Sequence, residues 1–256
     1  MLIAFLAILS GAFVGFFLSL LGGGGSIMAV PLLLYVVGVS DPHIAIGTSA
    51  VAVAASAAMN LAMHAHRGTV KWPCAIAFAI SGSIGALGGA ALGKATNGQY
   101  LILAFAAAMV GVGITMLMRK SDAGDPNVHI SPKLAVRLIP TGLVTGAASG
   151  FFGIGGGFLI VPGLIGASNM TMLHAIGTSL VAVTAFGAAT ATSYAMSGLV
   201  DWTLAILFMV GGAVGSYFGQ FAGRKFEEKN GALNKVFTVF IFLSAAYMAL
   251  QSFNVI

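Results

Sequence analysis

Forty consecutive residues, Met1 to Ser40, carry no Lys, Arg, Asp or Glu. A second uncharged run covers Ala95 to Met118. A helix crosses a bilayer with about 20 predominantly apolar residues, so both runs are long enough. Only 7% of the chain is charged, where a soluble domain runs near a quarter. With 59% hydrophobic residues and a mean hydropathy of +1.03, the chain has more apolar surface than a soluble interior can hold. Strand alternation is absent and Ala, Leu and Gly dominate, so the spans read as helices rather than barrel strands. The first segment lacks a basic n-region, which argues against a cleaved signal peptide and for part of the mature fold. The single cysteine, Cys74, excludes an intramolecular disulfide and reads as a small apolar residue. The net charge of +5 does not point to nucleic acid, because the basic residues fall in short loops.

The chain says nearly the same thing twice. GGGGSIMAVP runs from Gly22 to Pro31 and GIGGGFLIVP from Gly153 to Pro162, 131 residues later. Comparing Ala45–Lys94 with Ala175–Arg224, 21 of 50 positions are identical. AIGTS recurs at Ala45–Ser49 and Ala175–Ser179. Gly82, Gly85, Gly89 and Gly93 match Gly212, Gly215, Gly219 and Gly223. Each half holds five apolar segments, at 2–21, 26–38, 43–66, 73–94 and 100–118, then 134–152, 157–168, 172–197, 202–222 and 232–252. We read residues 1–118 as the first repeat, 119–133 as a cytoplasmic linker and 134–256 as the second repeat. The second segment of each half reaches about 20 Å at about 1.5 Å per residue, short of a hydrocarbon core of about 30 Å.

Charge sets the topology. If every segment crosses, the loops after segments one, three, five, seven and nine share one side. Ten of the eleven basic residues lie there, all but Lys94. The positive-inside rule makes that side cytoplasmic and puts both termini outside, in a multi-pass protein of the inner (plasma) membrane. An odd number of segments per half makes the repeats inverted. Ten crossings, or six with two re-entrant hairpins, satisfy the charges equally. The expected fold is therefore all-α and polytopic, with glycine-broken helices.

The phrases GGGGSIMAVP and GIGGGFLIVP, each followed by AIGTS and VAV, resemble the TauE/SafE sulfite-exporter family, also called the TSUP superfamily. The likeness extends from about Gly11 to Ala249. It implies a secondary transporter, an exporter by the family's name, for sulfur-containing anions such as sulfite, sulfoacetate or related organosulfonates.

The residues suit an anion. No Lys or Arg lies deep in a segment, so no fixed charge bears the cost of burial. A broken helix offers unpaired backbone N–H groups instead, and glycine lets an anion approach them. Gly22, Gly23, Gly24, Gly25 and Ser26 form one such break, and Gly155, Gly156 and Gly157 lie in the other. Inverted-repeat transporters set breaks of this kind face to face near the midplane. Pro31 and Pro162 are expected to kink or end the short segments that follow. The spaced glycines read as packing positions. Thr48, Ser49, Thr178 and Ser179 can donate hydroxyl bonds to an oxyanion or turn back on their own helices. Asn60 lies further along the same face, and Tyr194 aligns with His64. His64 and Arg67 belong to the basic stretch HAHRGTVK, read as gate, proton carrier or positive-inside anchor. The absence of an intramembrane carboxylate favours an anion substrate and leaves the driving ion open, with protons carried by a histidine as the candidate coupling ion. No metal or cofactor pattern and no HExxH, GxSxG or paired acids argue for an enzyme. An anion channel is the alternative reading. A homodimer is compatible with the sequence, which leaves the oligomeric state open.

Overall fold

The computed structural model describes residues 1–118, 124, 125, 128–153, 157–227, 239 and 243. Among these residues the secondary structure is helical, apart from an isolated bridge between Asp125 and Met170. Helix α1 (Leu2–Leu21) ends at Gly22, whose φ of 62° and ψ of −142° suit only glycine. Winding then resumes at once. Gly22–Met28 form a 3₁₀ helix, Ala29–Pro31 a single α turn (α2), and Leu32–Val37 a π-helical turn. Seven residues is long for a 3₁₀ helix. It is held by packing: Gly25 presses on the backbone of Phe17 and Leu18, where a Cβ would overlap. The four glycines thus make one sharp torsion followed by a tight coil. Both the 3₁₀ and the π segment pack back on α1, so the chain reverses here.

Pro31 lacks the N–H that α winding needs, and π winding begins directly after it. Pro162 does not repeat this effect, since α7 (Gly157–Ser168) runs on past it. The remaining helices are α3 (Pro42–His66), α4 (Trp72–Ala95), α5 (Gly98–Met118), α6 (Pro132–Phe152), α8 (Met172–Ala195) and α9 (Trp202–Glu227). They fall close to the segments predicted. The last predicted segment, 232–252, and residues 119–123, 126 and 127 of the linker lie outside the described residues, Val239 and Leu243 excepted. Six helical stretches among the described residues are long and apolar enough to span a bilayer.

Helix starts are chemically marked. Asp41 accepts from His43 N at 2.7 Å with Pro42 next to it, and Asp201 accepts from Leu204 N at 3.0 Å. The two acids outside the linker and the Glu227-Glu228 pair are therefore caps.

The halves exchange helices. Helix α1 packs along α9, α6 along α4, and α3 against α8. Glycine makes these crossings close: Gly15 meets the Gly212 carbonyl, and Gly146 meets the Gly82 carbonyl. Gly85 and Gly89 likewise press on Leu143 and Ala147. The outer faces present Ile76, Ile80, Ile84, Val210, Val214 and Phe218 to lipid. Trp72 and Trp202 open α4 and α9 at 46% and 58% exposure, as interfacial residues do. Cys74 is buried among apolar neighbours.

A methyl group at Gly146 overlaps the Gly82 carbonyl. Gly146→Ala should cost about 1–3 kcal/mol through overpacking, read as a lower thermal midpoint in detergent. Gly88→Ala, whose Cβ meets nothing within 4 Å, should leave the midpoint unchanged or raise it. Equal losses at both positions would contradict the packing role.

Candidate functional site

The GTS motifs sit where the halves cross. Gly22 turns against Ile176 and Ser179, and the Gly23 N–H donates to Ser179 Oγ at 3.0 Å. The Ser179 hydroxyl itself donates to Ile176 O at 2.7 Å. Ser26 Oγ closes the coil by donating to Gly23 O at 2.8 Å. The other half shows the reciprocal contact. Gly153, at φ 68°, turns against Ile46. Ser49 Oγ lies 3.3 Å from Gly153 O and 2.8 Å from Ile46 O, so its hydroxyl is shared between them. Each break is thus met by the serine of the opposite GTS.

The threonines do a second job, also reciprocally. Thr48 Oγ1 accepts from Asp201 N at 3.0 Å, and Thr178 Oγ1 accepts from Lys71 N at 3.1 Å. Asp201 and Lys71 are the residues that precede α9 and α4. Gly47 and Gly177 allow the approach, pressing on Leu199 and Thr69 in the same two loops. Helix α3 therefore ties down the start of α9, and α8 the start of α4.

Ser26, Thr48, Ser49, Thr178 and Ser179 are all 0% exposed. The glycine sites Gly22–Gly25 are buried with them. In this conformation the region is closed to solvent. Helix α7 packs on the Gly22–Met28 coil, so the two broken segments do meet. Gly157 opens α7, while Gly155 and Gly156 lie outside the described residues.

The family now follows from the whole chain. The sulfite exporter TauE/SafE profile matches residues 7–248. The chain belongs to the TauE/SafE family. Its relatives include a "probable membrane transporter protein" of Xylella fastidiosa strain 9a5c, 49% identical over 95% of this chain and 94% of that one. A "probable membrane transporter protein YunE" of Bacillus subtilis is 26% identical over 82% of this chain and 85% of its own length. No solved structure matches. A TauE/SafE chain is a multi-pass membrane transporter and not an enzyme.

The remaining sequence candidates form two separate groups that border the GTS motifs: His64 contacts Thr69, on which Gly177 presses, and Tyr194 Cβ lies beside Gly47. Asn60, His64 and Arg67 occupy the last turns of α3 and the loop after it, beside α1 and α9. Tyr194 lies near the end of α8, where Lys94 Nζ stands 5.8 Å over its ring. That ammonium donates to Ser193 O at 3.0 Å and Ser197 Oγ at 2.9 Å. Reading the sequence for what the halves share missed Ser19, Ser216 and Gln220. Their signal is a polar side chain where the other half has Gly150, Ala86 and Ala90.

Replacing Thr48 or Thr178 with valine keeps the shape and removes the acceptor. Each change should cost about 1–3 kcal/mol, the penalty for a backbone N–H left without a partner. Thermal unfolding should register it for Thr48→Val and Thr178→Val, and not for Thr192→Val on the exposed face of α8. Wild-type midpoints for both would remove the threonines from the fold's cross-bracing.

Proposed function

We propose that this chain is a secondary transporter of sulfur-containing anions, an exporter of sulfite, sulfoacetate or a related organosulfonate, working by alternating access between inverted repeats. The reading rests on one observation above all: in a TauE/SafE chain, each glycine break is engaged by the opposite half's GTS serine in a fully buried crossing.

The chemistry of exchange is favourable. An oxyanion oxygen takes the place of Ser179 Oγ at the Gly23 N–H, and the freed hydroxyl turns to the anion as a donor. A hydrogen bond to a charged group is worth about 1.5–3 kcal/mol net, against about 0.5–1.5 for a neutral one. Binding therefore breaks the link between one break and the opposite half. The 3₁₀ coil is short, so individual N–H groups at Gly23 and Gly24 do this work rather than a long helix dipole. Serine hydroxyls at positions 26, 49 and 179 complete the donor set.

The reciprocity of the threonine contacts supports alternation. When the repeats are inverted, Thr48–Asp201 and Thr178–Lys71 lie toward opposite faces. Releasing one while keeping the other opens one side at a time. The Leu2–Val37 fold-back fits a hairpin that dips from one face as well as two crossings. Protons serve as the coupling ion in this scheme.

Flux into proteoliposomes tests the function directly. Sulfite, sulfate, thiosulfate, sulfoacetate and taurine are offered with and without a pH gradient. Saturable, gradient-driven movement of one sulfur oxyanion is the expected result; non-saturating, purely electrodiffusive current would identify a channel instead. Gly24→Leu should cut the rate by more than about tenfold, worth about 1.4 kcal/mol of lost binding, in protein that remains folded. Normal flux in that variant would sink the anion cradle. Sidedness is read by thiol labelling, with Cys74 buried and silent. His66→Cys should react only from the cytoplasm and Met196→Cys only from outside, and reaction of both from one side would overturn the inverted topology.

A further inference from the structure

Three rows of residues, each spaced by four, converge between α1, α3 and α9. They are Gly11, Gly15 and Ser19; Ser56, Asn60 and His64; and Gly212, Ser216 and Gln220. Four-residue spacing keeps each row on one helix face. The rows touch. Asn60 Nδ2 donates to Ser216 Oγ at 2.8 Å, and Ser216 Oγ donates to Gly15 O at 3.2 Å. Gly219 leaves room for Ser19, whose Cβ stands 2.9 Å from where a methyl would project. Ser19 Oγ, Asn60 Oδ1, His64 Nε2 and Gln220 Nε2 have no hydrogen-bond partner, and the first three belong to residues at most 4% exposed. The duplicated rows in the other half are Gly142, Gly146, Gly150; Phe186, Thr190, Tyr194; and Gly82, Ala86, Ala90. Thr190 Oγ1 and Tyr194 Oη also lack partners, but a hydroxyl and a phenol do not exchange a proton near neutral pH. Only the α1–α3–α9 seam carries an imidazole.

The hydrogen bonds around His64 fix its tautomer. Thr69 Oγ1 donates to His64 O at 3.1 Å, which uses its only hydrogen. The contact of His64 Nδ1 with Thr69 Oγ1, at 3.0 Å, then has Nδ1–H as donor. Nε2 is left with a bare lone pair, near the Ser19 backbone of α1. Ser19 stands one turn ahead of Gly22. A proton on Nε2 turns that lone pair into a donor toward α1.

Resting on the transporter reading, we propose that His64 Nε2 is the proton-binding site of the transport cycle, and that its protonation ties α3 to the turn of α1 that leads into the Gly22 break. Helix α1 brings no titratable side chain to the imidazole, and α9 brings the neutral Gln220 among its described residues. The charged neighbour is Arg67, whose guanidinium reaches Gln220 Oε1 at 3.5 Å. An anion arriving beside that guanidinium offsets its charge at the imidazole. Proton and anion therefore favour each other's binding, by the same factor in both directions.

The experiment has two arms. In the first, histidine-labelled protein in detergent is titrated by NMR, with and without thiosulfate, and His64→Gln identifies the His64 signal among five histidines. The expected signal is an Nδ1–H tautomer at alkaline pH that protonates reversibly as the pH falls, and at a higher pH when thiosulfate is present. Should His64→Gln not fold, Thr69→Val identifies the signal by disturbing its tautomer. In the second arm, the initial rate of anion flux is compared at pH 5.5 and 7.5. A ratio of about tenfold in the wild type should fall below about twofold in His64→Gln, as loss of a single titration requires, while the exposed His66→Gln keeps it. A His64 signal that does not titrate, or an unchanged profile in His64→Gln, overturns the proposal. If His64 titrates but no sulfur anion moves, the proton site stands and the transport reading fails.

Discussion

A backbone N–H or C=O inside a bilayer has no water to turn to, so a chain can break a helix there only where a partner is already in place. That requirement organises this protein. The torsion at Gly22 frees backbone groups deep in an apolar chain, and Ser179 of the other half takes the Gly23 N–H. At the bend at Gly153 the polarity is reversed, and the Ser49 hydroxyl donates to the Gly153 carbonyl. Own-half groups satisfy part of each break, as Ser26 does for Gly23 O and Ser149 O for the Gly153 N–H, and the opposite half supplies the rest.

The exchange of helices gives this crossing its rigidity and its freedom. Long contacts between α1 and α9, and between α4 and α6, are lined by glycine against carbonyl. Such contacts hold the paired helices at close approach. The start of α9 hangs on Thr48 and the start of α4 on Thr178. Each pair is thus fastened to the centre through one hydroxyl and one backbone N–H. These are bonds of about 0.5–1.5 kcal/mol net, small enough to be exchanged within a transport cycle.

Much of the fold was legible in the sequence because hydrophobic runs, caps and a repeat are local or self-evident signals. The helix boundaries and the packing role of the spaced glycines follow from such signals, as Gly85 and Gly89 illustrate. The form of the first break did not. Four glycines are poor helix formers, yet Gly25 lies against the α1 backbone and the coil stays wound, a tertiary effect that residue propensities do not contain. The two prolines also differ for want of a local rule: Pro31 precedes π winding, while α7 absorbs Pro162. For the GTS motifs, the sequence left the choice between ligand and own-helix bonding open. The structure adds a third partner, the backbone of the other half, which no single-segment argument reaches.

Duplication also explains why the polar seam escaped a search for similarity. Comparing repeats highlights what both must keep, namely the breaks, the GTS motifs and the close crossings. A proton-coupled cycle of the kind proposed above needs, besides these, a titratable group that one half can carry alone. Shape alone cannot supply it, because the glycine contacts on the two sides are near copies: Gly15 on Gly212 and Gly146 on Gly82. Polarity can. Ser216 and Gln220 replace the alanines of the matching α4 face, and an imidazole replaces a phenol. These substitutions leave the backbone geometry of the crossing intact while giving one side an ionisable imidazole. The most informative residues for the proposed coupling are therefore those at which two otherwise matching halves disagree.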